Sequence, residues 1–130
     1  MRIQDLPGTY TIRPLVFGLT PSRDLHITVR IKSDGSLLYL EGRVIKEARQ
    51  KMANALPGTW SATDDGILTS EIAGYSQWID FSKVRHIHKV RKGVVLPMRS
   101  TLLDDALFKL GRIVFRRAHI VRHADADEHV

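Results

Sequence analysis

The chain contains no cysteine, which excludes disulfide bonds, thiolate metal sites and thiol catalysis. Long apolar runs are also absent. No stretch approaches the ~20 apolar residues of a membrane-spanning helix, and the first ten residues lack the apolar segment of a signal peptide. Glycine-rich phosphate loops and nucleophile elbows are missing too. These absences predict a soluble, cytoplasmic protein, and they favour a non-enzymatic role without a cofactor.

The size and composition indicate one globular domain. The chain has 130 residues, of which 43% are hydrophobic and 26% are charged, and such a chain can bury a proper core. We expect a single domain over residues 1–122. Residues 123–130 carry three acids and only one large apolar residue, Val130, so we expect a disordered tail there.

Charge is distributed unevenly along the chain. The net charge is +6, yet residues 61–82 contain four acids and no Lys or Arg, whereas residues 83–123 contain eleven Lys and Arg against two acids, a net +9. A clustered positive charge attracts phosphate-bearing polymers. The alternative interpretation of this charge is a solvated face that only keeps the protein soluble.

Apolar residues at alternating positions predict strands over much of the chain. The clearest pattern is "LHITVRIK", in which Leu25, Ile27, Val29 and Ile31 share one face. An Asp34-Gly35 turn follows and leads into a return strand, "LLYLEGRV", so a β-hairpin is predicted. Further strands are predicted over residues 9–18 and in "TWSAT", "ILTSEIAG", "YSQWIDF" and "VRHIHKV". "VVLPM" is expected to form an edge segment.

Two segments show helical spacing instead. In residues 43–58 the apolar residues recur every three or four positions and a Leu-Pro-Gly sequence ends the pattern. Residues 101–118 repeat this pattern, with acids at the start and bases at the end. These patterns predict an α+β fold: a mainly antiparallel sheet or partly closed β-barrel of six to seven strands, with one mid-chain helix and one C-terminal amphipathic helix. The alternative is a closed β-barrel in which residues 36–50 form one long strand.

The segment "KVRHIHKVRK", residues 83–92, combines five bases with two histidines. An extended basic strip of this kind can follow a phosphate backbone, and Tyr75 and Trp78 just upstream could stack on bases. We therefore predict a binding module for a polyanion, with nucleic acid as the first candidate. The predicted contacts come from the decapeptide and from a second basic patch near the C terminus: Lys83, Arg85, His86, His88, Lys89, Arg91, Lys92, Arg112, Arg116 and Arg117.

Two other functions remain open from the sequence. Phe108 and Phe115 lie beside the main apolar stripe of the predicted C-terminal helix, as expected of an interface in a self-assembling scaffold or multi-subunit component. In the other alternative, His86 and His88 bind a metal with His26 and hydrolyse an anionic substrate. The surrounding cations disfavour a metal ion, so the sequence predicts none.

Overall fold

The computed structural model describes residues 3–16, 20–21, 25–43, 55–87, 90, 93–100 and 117–123. These residues form one short 3₁₀ helix, Ile3–Asp5, and nine strands. The strands are β1 (Gly8–Val16), β2 (Thr20–Pro21), β3 (Leu25–Ile31), β4 (Ser36–Arg43), β5 (Leu56–Ala62), β6 (Ile67–Ile72), β7 (Tyr75–Asp80), β8 (Val94–Ser100) and β9 (Arg117–Arg122).

Eight of these strands close into an antiparallel barrel. The order is β1-β3-β4-β5-β6-β7-β8-β9, and β9 pairs back onto β1. That closing pairing runs from Tyr10 opposite Arg122 to Pro14 opposite Ala118. Strand β2 is a two-residue extension that pairs with the end of β1. Because every barrel strand has a partner on both sides, the sheet has no open edge.

The alternating apolar residues fill the barrel interior. Tyr10, Ile12, Ile27 and Ile120 are buried while the residues between them point outward, as expected from the two-residue period of a strand. Two polar side chains share this interior: Ser70 is 8% and Gln77 is 7% exposed, and they lie opposite each other on β6 and β7. They line a small space at the barrel centre that is otherwise bounded mostly by apolar residues.

Consecutive strands run in opposite directions, so the turns and strand ends lie at two ends of the barrel, which we call the lower and the upper end. At the lower end lie the 3₁₀ helix, the turns between β3 and β4 and between β5 and β6, the β7–β8 connection and the last residue of β9. At the upper end lie the last residues of β1, β4 and β8, the first residues of β3, β5 and β9, and the tight turn at Ala73 and Gly74.

The lower end is closed by packed side chains. Tyr10 is buried there, its hydroxyl donates to the Leu6 carbonyl at 2.6 Å, and its ring lies 6.2 Å from that of Phe81. Burial raises the pKa of Tyr10 to about 12. Arg122 covers the same ring, with its guanidinium carbon 5.8 Å from the ring centroid. Tyr10, Phe81 and Arg122 thus close the lower end of the barrel.

The predicted α+β fold is wrong. The described residues form a closed eight-stranded β-barrel and contain no α-helix, which is the architecture that the sequence left as the alternative. Strand β5 begins at Leu56, inside the predicted mid-chain helix, and β9 begins at Arg117, inside the predicted C-terminal helix. Residues 44–54 and 101–116, on which the rest of both helices would fall, lie outside the described residues. In the alternative prediction of a closed barrel, residues 36–50 form one long strand. The described part of that segment is β4, which ends at Arg43.

Strand pairing explains why local helical spacing failed at these boundaries. Leu56 and Pro57 pair with Tyr39 and Leu38 on β4, and Arg117 and Ala118 pair with β8. In both places the neighbouring strand provides hydrogen bonds and burial that a window of sequence does not contain. The predicted β3–β4 hairpin is confirmed from Leu25 opposite Arg43 to the turn at Asp34 and Gly35, and Val44, the last residue of the predicted return strand, lies outside the described residues. "VVLPM" forms β8, which lies between two neighbours and is not an edge.

Candidate functional site

Positive charge is concentrated on one side of the barrel. Strands β8, β9, β1 and β3 are consecutive neighbours, and together they contain five arginines and no acidic residue. We call the outward face of these four strands the basic wall. The opposite side has the reverse composition, since residues 56–80 contain four acids and no Lys or Arg. The described strands therefore place the acidic segment 56–80 on one side of the barrel and the arginines of β8, β9, β1 and β3 on the other.

Four of the five arginines point outward because their neighbours in sequence are buried. Arg13 lies between Ile12 and Pro14, both in the interior. Arg30 lies likewise between two buried residues of β3, and its Nε is 3.5 Å from Thr9 Oγ1 on β1. Arg99 and Arg117 are exposed, each next to a buried residue of β8 or β9. The wall thus presents guanidinium groups on all four of its strands.

The fifth arginine has a structural role. Arg122 Nη1 and Nη2 donate to the carbonyls of Asp5 and Pro7, both at 2.9 Å, and the group stacks on Tyr10. Its charge-assisted hydrogen bonds tie the N-terminal segment to the last strand. We therefore leave Arg122 out of the basic wall.

A row of three basic side chains crosses the wall. Arg13 lies opposite His119 in the β1–β9 register. Continuing the β1–β3 register by one residue beyond Ile12 and Ile27 places Arg13 opposite His26. Burial lowers the pKa of His26, and the charge of Arg13 lowers it further. The two histidines therefore flank one arginine on adjacent strands.

His119 is packed closely against the start of β8. A Cβ atom built on Gly93 would lie only 2.1 Å from His119 Nε2, and Gly93 has a φ of +84°. Both observations require glycine at this position. The other ring nitrogen, Nδ1, is buried and has no hydrogen-bond partner among the described residues. The imidazole is therefore held in place by packing and not by a polar contact of that atom.

Trp78 borders the wall on β7. It lies opposite Arg99 of β8, and its neighbours Gln77 and Ile79 are buried, so its indole faces away from the interior. Tyr75 lies at the upper end of the same strand and is 39% exposed. These are the two aromatic residues that the sequence suggested as stacking platforms. Trp78 is the one of the two with an arginine directly opposite.

The predicted decapeptide does not form the predicted strand where it is described. Residues 81–87 form turns and a bend, and the Val90 amide donates to the Ile87 carbonyl at 3.1 Å. Ile87 is 1% and Val90 is 4% exposed, and Val84 packs against the same core. The apolar residues of this segment recur every third position, which fits tight turns and excludes an alternating strand face. The three-residue spacing of Val84, Ile87 and Val90 is present in the sequence, but the predicted strand was based on the alternation of histidines and bases.

The predicted contact residues fall into two groups where they are described. Lys83, Arg85 and His86 are exposed in the β7–β8 connection at the lower end, while Arg117 lies on the basic wall. The remaining predicted contacts lie outside the described residues: His88, Lys89, Arg91, Lys92, Arg112 and Arg116. The predicted interface residues Phe108 and Phe115 lie outside them as well. Strand pairing brings together the wall residues Arg13, Arg30, Arg99 and His119, none of which was predicted from the sequence as a contact residue.

The residues of the alternative metal site are separated where they are described. His26 is near the upper end of β3, whereas His86 is in a connection at the lower end. Within the described ranges, no group of three or more His, Cys, Asp or Glu residues could hold a metal ion.

His123, the first residue of the predicted tail, is attached to the barrel: its amide donates to the Thr9 carbonyl at 2.8 Å. Residues 124–130 lie outside the described part.

Comparison of the chain with protein-family models, curated proteins and solved structures finds no match in any of the three. No described helix has the length and apolar character that crossing a membrane requires. The class that the fold defines is therefore a closed, eight-stranded antiparallel β-barrel with one basic wall.

Proposed function

We propose that this protein is a non-enzymatic binding module for a polyanion, with nucleic acid as the first candidate, and that the basic wall is its contact surface. The observation that carries the proposal is the separation of charge. Four outward arginines lie on neighbouring strands that contain no acid. The exposed acids Asp64, Asp65 and Glu71 lie on the other side.

Solubility alone does not account for this arrangement. A soluble surface is served by charges of both signs interspersed, because large fields of one sign add self-repulsion. The basic wall instead carries charge of one sign, because the four strands that form it contain arginines and no acid. A polyanion suits such a surface, since each phosphate it brings is attracted by several guanidinium groups at once.

The chemistry of the wall favours a nucleic acid over other polyanions. Its four outward cations with permanent charge are all arginines, whose planar donor fork matches phosphate oxygens in pairs. Trp78 beside Arg99 offers an aromatic face on which an unpaired base can stack. A polymer with phosphates but without bases would contact the arginines and would not stack on Trp78.

The first test measures binding as a function of salt. With four phosphate contacts, the counterion-release slope predicts that affinity falls about 50-fold for a single strand and about 150-fold for B-DNA between 50 and 200 mM salt. Fluorescence anisotropy with labelled single- and double-stranded DNA and RNA measures this. Heparin, which carries sulfates but no bases, provides the comparison polyanion.

Absence of an anisotropy change for every nucleic acid at ~50 mM salt would refute the proposal. Binding that does not weaken with salt would refute the role of the wall, because counterion release must accompany phosphate contacts. Equal salt dependence and equal affinity for heparin would leave a polyanion-binding module and remove the nucleic-acid assignment.

The other expectations stay predictions. Self-assembly through Phe108 and Phe115 depends on residues outside the described part. In the hydrolase alternative, His88 lies outside it, and the described His26 and His86 are at opposite ends of the barrel. A cytoplasmic location stays a prediction from the sequence.

A further inference from the structure

We propose that the protein binds single-stranded nucleic acid in preference to a duplex, and that Trp78 on β7 and Arg99 on β8 together hold one nucleotide of the strand. The base stacks on the indole and the phosphate contacts the guanidinium group. This inference rests on the proposed function and names the class of nucleic acid that the same surface recognises.

The two side chains lie next to each other on the outside of the barrel. Trp78 and Arg99 are direct partners in the β7–β8 register. Trp78 lies between the buried Gln77 and Ile79, and Arg99 follows the buried Met98, so both side chains point outward. Residues directly opposite in an antiparallel pair have Cβ atoms about 4.5–5.5 Å apart. Since one sugar joins the base of a nucleotide to its phosphate, a single nucleotide can contact both side chains.

Trp78 combines an outward ring with an adjacent base, unlike two other aromatic residues of the described strands. Its indole is half-buried, so part of the ring is open to solvent. Trp60 packs against the core, and its Nε1 donates to the Lys32 carbonyl at 2.6 Å. Tyr75 is exposed, but its partner on β6 is the apolar Ile72. Trp78 is therefore the aromatic residue at which stacking and a phosphate contact coincide.

The charges around Trp78 orient the nucleotide. On the β8 side lies Arg99, whereas the β6 partner of Trp78 is the exposed and uncharged Thr69. The acids Glu71 and Asp80 lie two residues further along β6 and β7, so a phosphate is attracted towards β8 and repelled from β6. The base then extends towards Thr69. A hydroxyl group both donates and accepts hydrogen bonds, so Thr69 can meet the edge of any base.

The backbone that leaves Arg99 continues over the basic wall. Arg117 of β9 lies opposite Pro97, which is two residues from Arg99 on β8. This places the two arginines on a diagonal, with Cα atoms about 7–8 Å apart. Both are exposed, and neither strand contains an acid. A single strand can therefore pass from the stacking site onto a surface of positive charge.

A duplex cannot use the stacking site without being opened. Its bases are stacked on one another, so a base reaches Trp78 only if it leaves the stack, which costs free energy. A single strand presents its bases and its phosphates together. Stacking on an aromatic side chain tolerates every base, because each has a π face. We therefore expect a preference for single strands with little dependence on sequence.

The test removes the bases from the ligand and the indole from the protein. The ligands are a labelled oligothymidylate, an abasic strand of equal length and a duplex of equal length, at ~50 mM salt. Trp78→Ala should weaken the binding of oligothymidylate by about 5- to 150-fold. Its affinity for the abasic strand and the duplex should be nearly unchanged, because these ligands contact only the arginines. Tyr75→Ala is the matched control, since it removes an exposed ring from the same strand.

A second variant and a second readout keep the test decisive if Trp78→Ala does not fold, which circular dichroism shows. Trp78→Phe keeps an aromatic ring and should keep most of the preference for oligothymidylate over the abasic strand. In Trp60→Phe, Trp78 is the remaining tryptophan of the two in the chain. Its fluorescence should be quenched by oligothymidylate and not by the abasic strand.

The outcomes separate this inference from the proposed function. Equal binding of oligothymidylate and the abasic strand by the wild type overturns the stacking site and leaves the polyanion module intact. A loss in Trp78→Ala that is equal for all three ligands does the same, because Trp78 would then only support the fold. Loss of the preference in Tyr75→Ala but not in Trp78→Ala overturns the assignment to Trp78, and tighter binding of the duplex overturns the preference for single strands. Absence of binding to all three ligands overturns the proposed function and this inference with it.

Discussion

Replacement of Arg122 by alanine should destabilise the protein by about 3 kcal/mol. The substitution removes two charge-assisted hydrogen bonds, to the carbonyls of Asp5 and Pro7, and the stacking on Tyr10. Hydrogen bonds to charged groups contribute about 1.5–3 kcal/mol each and a cation–π contact about 0.5–1 kcal/mol, although such terms do not add fully. Two partly buried carbonyls would also lose their donors. Urea unfolding followed by circular dichroism measures the difference.

Arg117→Ala is the matched control for this prediction. It removes the same side chain from the other end of the same strand, where the arginine is exposed. Exposed substitutions away from special contacts usually change stability by less than about 0.5 kcal/mol. If the two variants lose equal stability, Arg122 does not hold the N-terminal segment to β9 through these hydrogen bonds.

Replacement of Gly58 by alanine should cost about 3 kcal/mol or more, because the added methyl group meets backbone. Its Cβ would lie 2.5 Å from the Glu71 carbonyl oxygen and 2.8 Å from Ile72 Cγ1. A side chain could rotate away, but the carbonyl belongs to the β5–β6 ladder and can move only if the strands separate. Overpacking of a dense interior costs about 1–3 kcal/mol, and more where it cannot relax.

Ser61→Ala tests whether this loss is specific to the close approach. Ser61 is on the same strand and exposed, so its replacement should leave the urea midpoint nearly unchanged. A Gly58→Ala protein as stable as the wild type would mean that β5 and β6 are farther apart than described.

The sequence predicted those parts of the fold whose evidence is local. The β3–β4 hairpin has an alternating strand, a turn and a return strand within twenty residues, and the structure contains this hairpin. Strand β9 could not be found in this way. Its residues continue an amphipathic helical pattern, and the strand is defined by partners more than a hundred residues away, such as Tyr10 and Pro14. Barrel closure depends on this pairing, so the architecture stayed an alternative.

The candidate site illustrates the same limit. Arg13, Arg30 and Arg99 are single bases within strands, separated by 17 and 69 positions in the sequence, and no sequence window contains more than one of them with its neighbours on the wall. The decapeptide concentrates its charge in a window and was therefore selected. Only the strand order shows that isolated arginines form one surface.

The most direct test of the account compares two triple variants with the same net charge. One replaces Arg13, Arg99 and Arg117 of the wall by glutamine. The other replaces Lys32, Lys83 and Arg85, all exposed at the lower end, also by glutamine. Each lowers the net charge by three, so a difference between them reports position and not total charge. Both are titrated with the same single-stranded oligonucleotide over a series of salt concentrations.

We predict that the wall variant loses affinity and that the slope of log K against log salt becomes shallower by about 2 to 3, which corresponds to three lost phosphate contacts. The lower-end variant should keep a slope close to that of the wild type. The opposite result, a shallower slope in the lower-end variant and an unchanged one in the wall variant, would contradict the account and assign binding to the β7–β8 connection.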